Sequence, residues 1–429
     1  MAALQEFEQS ALPQKSGKRY ILLVCVILAL LGLVKTYHFS GGGLSEGRFE
    51  MVDFDSFYLS GLLVGRDKID DVYNFIKLAE YQKEFSGEVA FLPWTYPPQF
   101  DVLVAVLAML PKGLAYLIFI AATLAGYLLG LSRVAGARFP LILLLSFPYL
   151  CINLGCGQNG FLSGGLIVLT CLAFSRNSGI AGIPLGLMII KPHLAVVFAA
   201  LTAFDRRWRI AAVAALTIGA SSICATLLLG EGVWAAFLDG VRQSGILLRL
   251  GAYPLYRMVS AYATARSLGV PASISFVCQG VAALSLIAVI FACRNKPMRL
   301  KLGLVAVASP LISPYAYDYD VTILIVGLAY LIDHIIEQGR EGERWLVYGL
   351  VLLPGLVVFG EISVLSVTSA ASAARPFENH VASAAAPCFL VLFALLSRLA
   401  LRAPDAVRSD EAVWLRQGLE LTRATPGSR

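Results

Sequence analysis

The segment Met51-Val-Asp-Phe-Asp-Ser-Phe-Tyr58 lies in the longest hydrophilic interruption of an otherwise apolar chain, which runs from about residue 37 to residue 94. This stretch directly follows the first apolar run and contains ten acidic residues against five basic ones. A membrane protein that gathers its carboxylates in one loop beside the bilayer holds them where they can do chemistry or bind a ligand. The stretch therefore predicts a membrane-embedded protein with a long outer loop after its first helix.

The composition of the whole chain indicates the same class. Of its 429 residues, 58% are hydrophobic and 14% are charged, and the mean hydropathy is +0.74, whereas a soluble domain carries about 25% charged residues. The predicted fold class is therefore an all-α polytopic membrane protein. Because the aqueous segments are too short for a separate soluble domain, we expect one transmembrane domain over 20–402, with the outer loop at 37–94. The tails at 1–19 and 403–429 are expected to be cytoplasmic.

The apolar runs predict the number of membrane spans. A helix needs roughly 20 apolar residues to cross the hydrocarbon, and this rule predicts about twelve spans. They lie near 20–36, 98–112, 114–132, 139–155, 159–175, 179–203, 210–230, 270–293, 300–316, 319–335, 345–362 and 385–402. Lysine and arginine favour cytoplasmic loops. The basic segments 205–209 and 294–301 therefore predict an inner-membrane protein whose acidic loop faces the extracytoplasmic side.

Charge and cysteine usage exclude other classes of protein. The net charge of +6 is modest, and no basic cluster resembles a nucleic-acid groove. The eight cysteines are scattered without a CxxC pair, which argues against a disulfide framework or a zinc site. We therefore expect the bilayer, rather than nucleic acid, as the large partner.

Two carboxylates precede a short predicted helix in the outer loop. Asp53 and Asp55 stand before Ser56–Val64, which has the pattern of an amphipathic helix lying along the membrane surface. One of them, with Asp55 favoured, could cap this helix by accepting from its first N–H groups. Alternatively, Asp53 could act as a general base, provided that it lies within hydrogen-bond reach of the proton it removes.

Polar residues also interrupt the apolar runs. The aromatic segment Trp94-Thr-Tyr-Pro-Pro-Gln99 could be a plain interfacial anchor or part of a site. Gly157-Gln-Asn-Gly160 could be a surface turn, but irregular backbone at membrane depth is tolerated where it lines a cavity. Asp101 lies one turn into an apolar helix and could face either the protein interior or the surface.

Two further segments carry ionisable groups. Lys191-Pro-His193 lies inside the apolar run 179–203, where an ionisable group by default indicates function, although a lysine near a helix end could also snorkel to the surface. A bound phosphate would give Lys191 a reason to stay charged. The segment 313–320 joins two spans and contains three tyrosines and two acids, a combination that suits either sugar recognition or an interfacial belt.

The ordered set of these motifs resembles glycosyltransferase family 87, whose members include polyprenyl-phosphate-mannose-dependent mannosyltransferases. The resemblance extends from about residue 20 to 400. It is carried by Asp-Phe-x-x-Phe-Tyr-x-x-Gly at 53–61, Tyr96-Pro-Pro98, Gly157-Gln-Asn-Gly160, Lys191-Pro192 and Ser313-Pro-Tyr315.

This resemblance implies a GT-C-type fold with its active site at the outer membrane face. It implies Asp53 as the catalytic acid residue, and a donor that carries mannose or a pentose on a polyprenyl phosphate. The sugar would pass with inversion to a cell-envelope lipid or glycan acceptor. Lys191 is then the first choice for holding the departing phosphate, with Arg257 and His193 behind it. The residues expected to bind donor or acceptor are Asp55, Tyr58, Tyr96, Gln158, Asn159, Lys191, His193, Arg257, Tyr315 and Asp318.

No cofactor is expected, and the sequence does not require a metal, although the paired acids could hold one. Two other functions stay open. A transporter or flippase for polyprenyl-linked substrates would scatter its charges through central spans. A polymerase or ligase that uses lipid diphosphates would need several arginines in its outer loops, and 231–269 contains Arg242, Arg249, Arg257 and Arg266.

Overall fold

The structure, a computed structural model, describes residues 14–41, 49–89, 92–372 and 382–406. Within these ranges every regular element is a helix, apart from one isolated β-bridge between Met258 and Tyr317. The predicted all-α polytopic class is therefore confirmed. The α-helices are α1 Gln14–Phe39, α2 Asp53–Val64, α3 Ile69–Tyr73, α4 Phe75–Ser86, α5 Pro98–Leu107, α6 Lys112–Ala135, α7 Phe139–Cys156, α8 Gly160–Ser175, α9 Gly182–Leu187, α10 Pro192–Phe204, α11 Trp208–Leu229, α12 Val233–Leu250, α13 Ala261–Ser267, α14 Ala272–Ala292, α15 Met298–Ile312, α16 Val321–Gln338, α17 Glu341–Ser372 and α18 Ala385–Arg402.

The apolar runs coincide with helices, but not all of these helices are long. In the described ranges, seven helical segments are long and apolar enough to cross a membrane, and four more apolar helices are shorter. One of the seven, Lys112–Cys156, contains 45 residues. At 1.5 Å per residue it would be about 68 Å long if straight, which is more than twice the roughly 30 Å thickness of the hydrocarbon. A 3-10 turn at Gly136–Arg138 divides it into α6 and α7. The count of twelve spans stays a prediction, as does the division into one domain and two tails. Residues 1–13 and 407–429 of those tails, and residues 42–48 and 90–91 of the outer loop, lie outside the described residues.

The predicted span over 179–203 is not one continuous helix, because the chain is broken in its middle. A short 3-10 turn leads into α9, a second 3-10 turn covers Met188–Ile190, and α10 begins only at Pro192. Lys191 has φ −142° and ψ 69°, which is not helical. A residue before proline is pushed out of the helical region by contact with the proline ring. The break therefore presents Lys191 to the protein interior from a helix end.

The helix after Asp53 is also different from the expectation. It was predicted to lie amphipathically along the membrane surface, but nine of its twelve residues are buried. Gly61 allows its close packing on α5, since a Cβ there would lie 2.2 Å from the Val104 carbonyl oxygen. Because α2 is enclosed by protein, its first residue is held firmly beside the interior of the molecule.

The centre of the fold is α16, which is buried along most of its length. It packs against α15 through Gly303 and Gly327, which face each other so closely that a Cβ on Gly327 would lie 2.5 Å from the Gly303 carbonyl oxygen. A 3-10 turn, Asp318–Asp320, leads directly into α16. The two acids of that turn are consequently held at the start of this buried helix.

Candidate active site

A cavity of about 450 Å³ lies where α2, α7, α10 and α12 meet the loops before α5 and α16. Three polar side chains come from helix ends and breaks: Asp53 from the start of α2, Gln158 from the turn after α7, and Lys191 from the break before α10. Seven residues singled out in the sequence line this cavity: Asp53, Tyr96, Gln158, Lys191, His193, Arg257 and Tyr315. Residues far apart in the chain are thus brought into one chamber.

Asp53 forms one corner of the cavity. Its Oδ1 accepts a hydrogen bond of 2.9 Å from Gln158 Nε2. Burial raises the pKa of the Asp53 carboxyl above its usual value, although the Arg257 charge and the bond from Gln158 oppose this shift. A carboxylate with a raised pKa is a stronger base, so the environment of Asp53 suits proton abstraction.

Two cations, Lys191 and Arg257, also line the cavity and form its cation corner. Lys191 Nζ lies 2.6 Å from Asp320 Oδ1, and Arg257 donates from Nε and Nη2 to the two oxygens of Asp318 at 2.8 and 3.0 Å. Buried charges need such partners, because an uncompensated one is strongly destabilising. An ammonium has three donors and a guanidinium has five, so both cations retain donors for an anionic ligand.

An aromatic wall connects the two cations. The ring centroid of Tyr319 lies 4.5 Å from Lys191 Nζ and 5.8 Å from Arg257 Cζ. Tyr317 stacks on Tyr319 with ring centroids 5.3 Å apart, and Tyr315 meets Tyr317 edge to face at 5.6 Å. Such ring faces attract cations and also suit the C–H surfaces of sugars.

His193 lines the same cavity from the first turn of α10. Its Nε2 is buried and has no hydrogen-bond partner in the described part of the chain. An unsatisfied buried polar atom carries a desolvation cost. The imidazole can therefore gain a hydrogen bond when a polar ligand enters.

Four predicted binding residues do not line this cavity. Asp55 accepts from Lys112 Nζ at 2.9 Å and from the Val52 N–H at 3.1 Å. It is the third residue of α2 and reaches back to the N-cap residue Val52, so it is not the N-cap residue that the capping alternative expected. Tyr58 donates to the Leu110 carbonyl at 2.9 Å. Asn159 and Asp318 lie behind the lining, where Asn159 donates its backbone N–H to Gln158 and Asp318 holds Arg257. Direct binding roles for these four stay predictions.

Sequence reasoning did not select three lining residues, Tyr317, Tyr319 and Asp320, although it marked the segment that contains them. One signal could have identified Asp320. A buried lysine needs an anion. From the sequence we expect this anion to be a phosphate, but in the structure Asp320 supplies it.

Asp101 faces the interior, which decides between its two alternatives. It accepts from Trp94 Nε1 at 2.7 Å and from the Tyr73 hydroxyl at 2.5 Å. The oxygen of this hydroxyl also lies 2.7 Å from the Tyr96 carbonyl oxygen, and its single proton serves one of the two acceptors at a time. Asp101 thus fixes the loop that carries Tyr96 into the cavity.

Across the described ranges, no three His, Cys, Asp or Glu side chains gather as a metal-ligand set would.

Comparison with known proteins gives one match. The sequence model of glycosyltransferase family 87 matches residues 94–314, a range that contains the loop of Tyr96, the motif of Gln158, the break at Lys191 and Arg257. No curated protein and no solved structure matches the chain.

Proposed function

Because the chain belongs to glycosyltransferase family 87, we propose that it moves a sugar from a polyprenyl-phosphate donor to a cell-envelope lipid or glycan, with inversion. It is a multi-pass membrane glycosyltransferase. We propose four further properties: the polyprenyl-phosphate donor, its sugar (mannose or a pentose), the acceptor, and a site at the extracytoplasmic face of the inner membrane.

The observation that carries the proposal is the presence, in the lining of one cavity, of a carboxylate and two cations. Asp53 takes the proton of the acceptor hydroxyl, and the oxygen attacks the anomeric carbon from the face opposite the phosphate. As the new C–O bond forms, the bond between that carbon and the phosphate oxygen breaks, and its electron pair leaves with the phosphate. Lys191 and Arg257 stabilise the charge that develops there.

The donor is proposed to be a monophosphate because, among the residues that the structure describes, Lys191 and Arg257 are the lysine and arginine that line the cavity. Of the four arginines that kept the lipid-diphosphate alternative open, only Arg257 lines it. Arg242 and Arg249 are exposed, and Arg266 is engaged with the carbonyls of Val270 and Arg249. A monophosphate needs fewer donors than a diphosphate, which favours the glycosyltransferase over the polymerase.

The lipid character of the donor is supported by the wall that α12 contributes. Phe237, Val241 and Leu248 line the cavity, and Val241 is 43% exposed. An apolar, partly open wall beside two cations suits an isoprenoid phosphate better than a water-soluble nucleotide sugar. The ionisable lining residues lie in this single chamber, whereas a flippase would need them along a central path.

We also propose that transfer does not depend on a divalent metal, since side chains supply positive charge at the phosphate. The rate is then expected to be the same with EDTA and with added Mg²⁺ or Mn²⁺. Loss of transfer in EDTA that Mg²⁺ restores would contradict this part of the proposal.

The deciding experiment compares wild type with Asp53→Asn in nanodiscs that contain radiolabelled polyprenyl-phosphate mannose, or its pentose analogue, and a membrane lipid extract. We expect transfer by wild type and a loss of about 10²–10⁴-fold in Asp53→Asn, the usual contribution of general base catalysis. Asp71→Asn is the matched control, because Asp71 pairs with Lys77 at 2.5 Å in the same loop and does not line the cavity. Equal rates in wild type and Asp53→Asn would remove Asp53 as the base.

A further inference from the structure

We propose that Gln158 is a positioning residue that presents Oδ2 of Asp53 to the acceptor, and that Gly157-Gln-Asn-Gly160 fixes the base relative to the phosphate-holding corner. The inference rests on the proposed function. It differs from the sequence-based expectation, which treated Gln158 as a binding group for donor or acceptor.

The orientation of the Gln158 amide follows from its partners. The Asn159 backbone N–H lies 2.8 Å from Gln158 Oε1 and is only a donor, so the carbonyl oxygen must face it. The amide nitrogen then faces Asp53 Oδ1 at 2.9 Å. Since Oε1 only accepts, the Tyr96 hydroxyl at 2.9 Å must donate to it. The chain Tyr96→Gln158→Asp53 therefore has one direction.

This arrangement makes the two oxygens of Asp53 different. Oδ1 is occupied by Gln158, whereas Oδ2 has no hydrogen-bond partner in the described part of the chain. Asp53 lines the cavity, so the acceptor hydroxyl meets Oδ2. A base held in one orientation loses less activity to misplacement, since an error of about 1 Å can reduce a rate by about 10²-fold.

The two glycines of the motif make the close approach possible. Gly157 has φ +67°, and a Cβ on it would lie 2.5 Å from the Cβ of Phe54, the neighbour of Asp53. At the other end of the motif, a Cβ on Gly160 would lie 2.3 Å from the Tyr319 carbonyl oxygen. The four residues thus fill the space between the first turn of α2 and the segment that carries Tyr319 and Asp320, and they set the separation between base and cations.

The test uses Gln158→Leu, with Gln99→Leu as the matched control. Gln99 also holds a side-chain partner, Ser222 at 2.9 Å, but it does not line the cavity. We expect Gln158→Leu to lower kcat by about 10²-fold with an unchanged donor KM. The acidic limb of kcat/KM should move to higher pH, because the lost bond lowers the pKa of Asp53. Gln99→Leu should leave both unchanged.

Tyr96→Phe is the milder variant, since it keeps the ring and removes only the hydroxyl that holds Gln158. It should change kcat and the acidic limb in the same directions, by smaller amounts. A raised donor KM with an unmoved acidic limb in both variants would instead make Gln158 a donor contact and overturn the inference.

A second readout needs no substrate, so it separates failure of this inference from failure of the proposed function. Infrared titration of wild type minus Asp53→Asn isolates the Asp53 carboxyl band. The pKa read from this band should rise in Gln158→Leu and stay constant in Gln99→Leu. An unchanged titration in Gln158→Leu overturns the inference even if no transfer is found with any donor, whereas a raised pKa without transfer counts only against the proposed donor.

Discussion

The two corners of the cavity are held by different kinds of interaction. Asp53 receives a hydrogen bond from a neutral amide, whereas Lys191 and Arg257 are each paired with a carboxylate at the start of α16. A carboxylate can be protonated, so losing its one neutral partner raises the pKa of Asp53 but leaves no uncompensated charge that would destabilise the fold. A buried cation that loses its carboxylate, or the reverse, leaves an uncompensated charge. The cation corner should therefore couple folding to catalysis, and the base corner should not.

The largest effect is expected for Arg257→Met. It leaves Asp318, which is 1% exposed, without its bidentate partner. Breaking such a buried pair costs about 3–5 kcal/mol, which is a large part of an ordinary free energy of unfolding. Thermal unfolding in detergent should show the loss, and transfer should fall below detection.

The double variant Arg257→Met/Asp318→Leu tests whether these two losses are separable. Removing both charges should restore most of the stability, because apolar replacements of a buried pair are often neutral, while transfer stays lost. Recovery of transfer in the double variant would mean that Arg257 serves folding alone.

Lys191→Met should show the next largest effect. Its ammonium makes one 2.6 Å bond to Asp320 and points into the cavity, so its removal takes away charge stabilisation at the leaving phosphate. Removing one such donor typically lowers kcat by about 10²–10³-fold. Adding Asp320→Leu should repair stability without repairing kcat, measured per folded protein. If Lys191→Met turned over at the wild-type rate, the phosphate role would pass to Arg257 and His193.

The pH dependence of kcat/KM tests whether the charges of the cation corner act on the pKa of Asp53. Asp53 works only when deprotonated, so kcat/KM should fall as the pH drops through its pKa. Burial raises this pKa above the ordinary value, and the charges of Arg257 and Lys191 oppose that shift. Lys191→Met removes a group that lowers the pKa, so the acidic limb should move to higher pH. A limb that moved to lower pH would show that these corners are not coupled as described.

Much of the fold could be predicted because a chain that crosses a bilayer needs long apolar helices. Such helices can be recognised in a single sequence. The break at Lys191 was marked by Pro192, yet the length of the apolar run concealed it. Tertiary packing decides where each helix ends, and therefore whether it is long enough to cross the hydrocarbon. Helix α5, for example, has ten residues.

The sequence indicated seven residues that line the cavity, but not how these residues pair. Lys191 and Asp320 are 129 positions apart, and Gln158 and Asp53 are 105 apart. Nothing local in the sequence links such residues, because their contact depends on how the helices pack. Asp55 is the reverse case. It is close to Asp53 in sequence, which indicated a shared role, but in the structure the two side chains have different partners.

Asp55→Asn should have the smallest effect of these variants. Asp55 accepts from the Val52 N–H and from Lys112, whose ammonium lies 4.5 Å from the ring centroid of Phe49 and 5.2 Å from that of Phe85. An asparagine keeps a carbonyl oxygen for one of these donors, and the charge left behind is Lys112, whose side chain is 20% exposed and can reach water, unlike Asp318. We therefore expect a loss of about 0.5–2 kcal/mol in the free energy of unfolding. Transfer per folded protein should stay within about twofold of wild type, since catalytic losses from a missing base are far larger. A stable Asp55→Asn protein with little transfer would instead give both acids at the start of α2 a place in the chemistry, and the separation of the base corner from the helix cap would no longer hold.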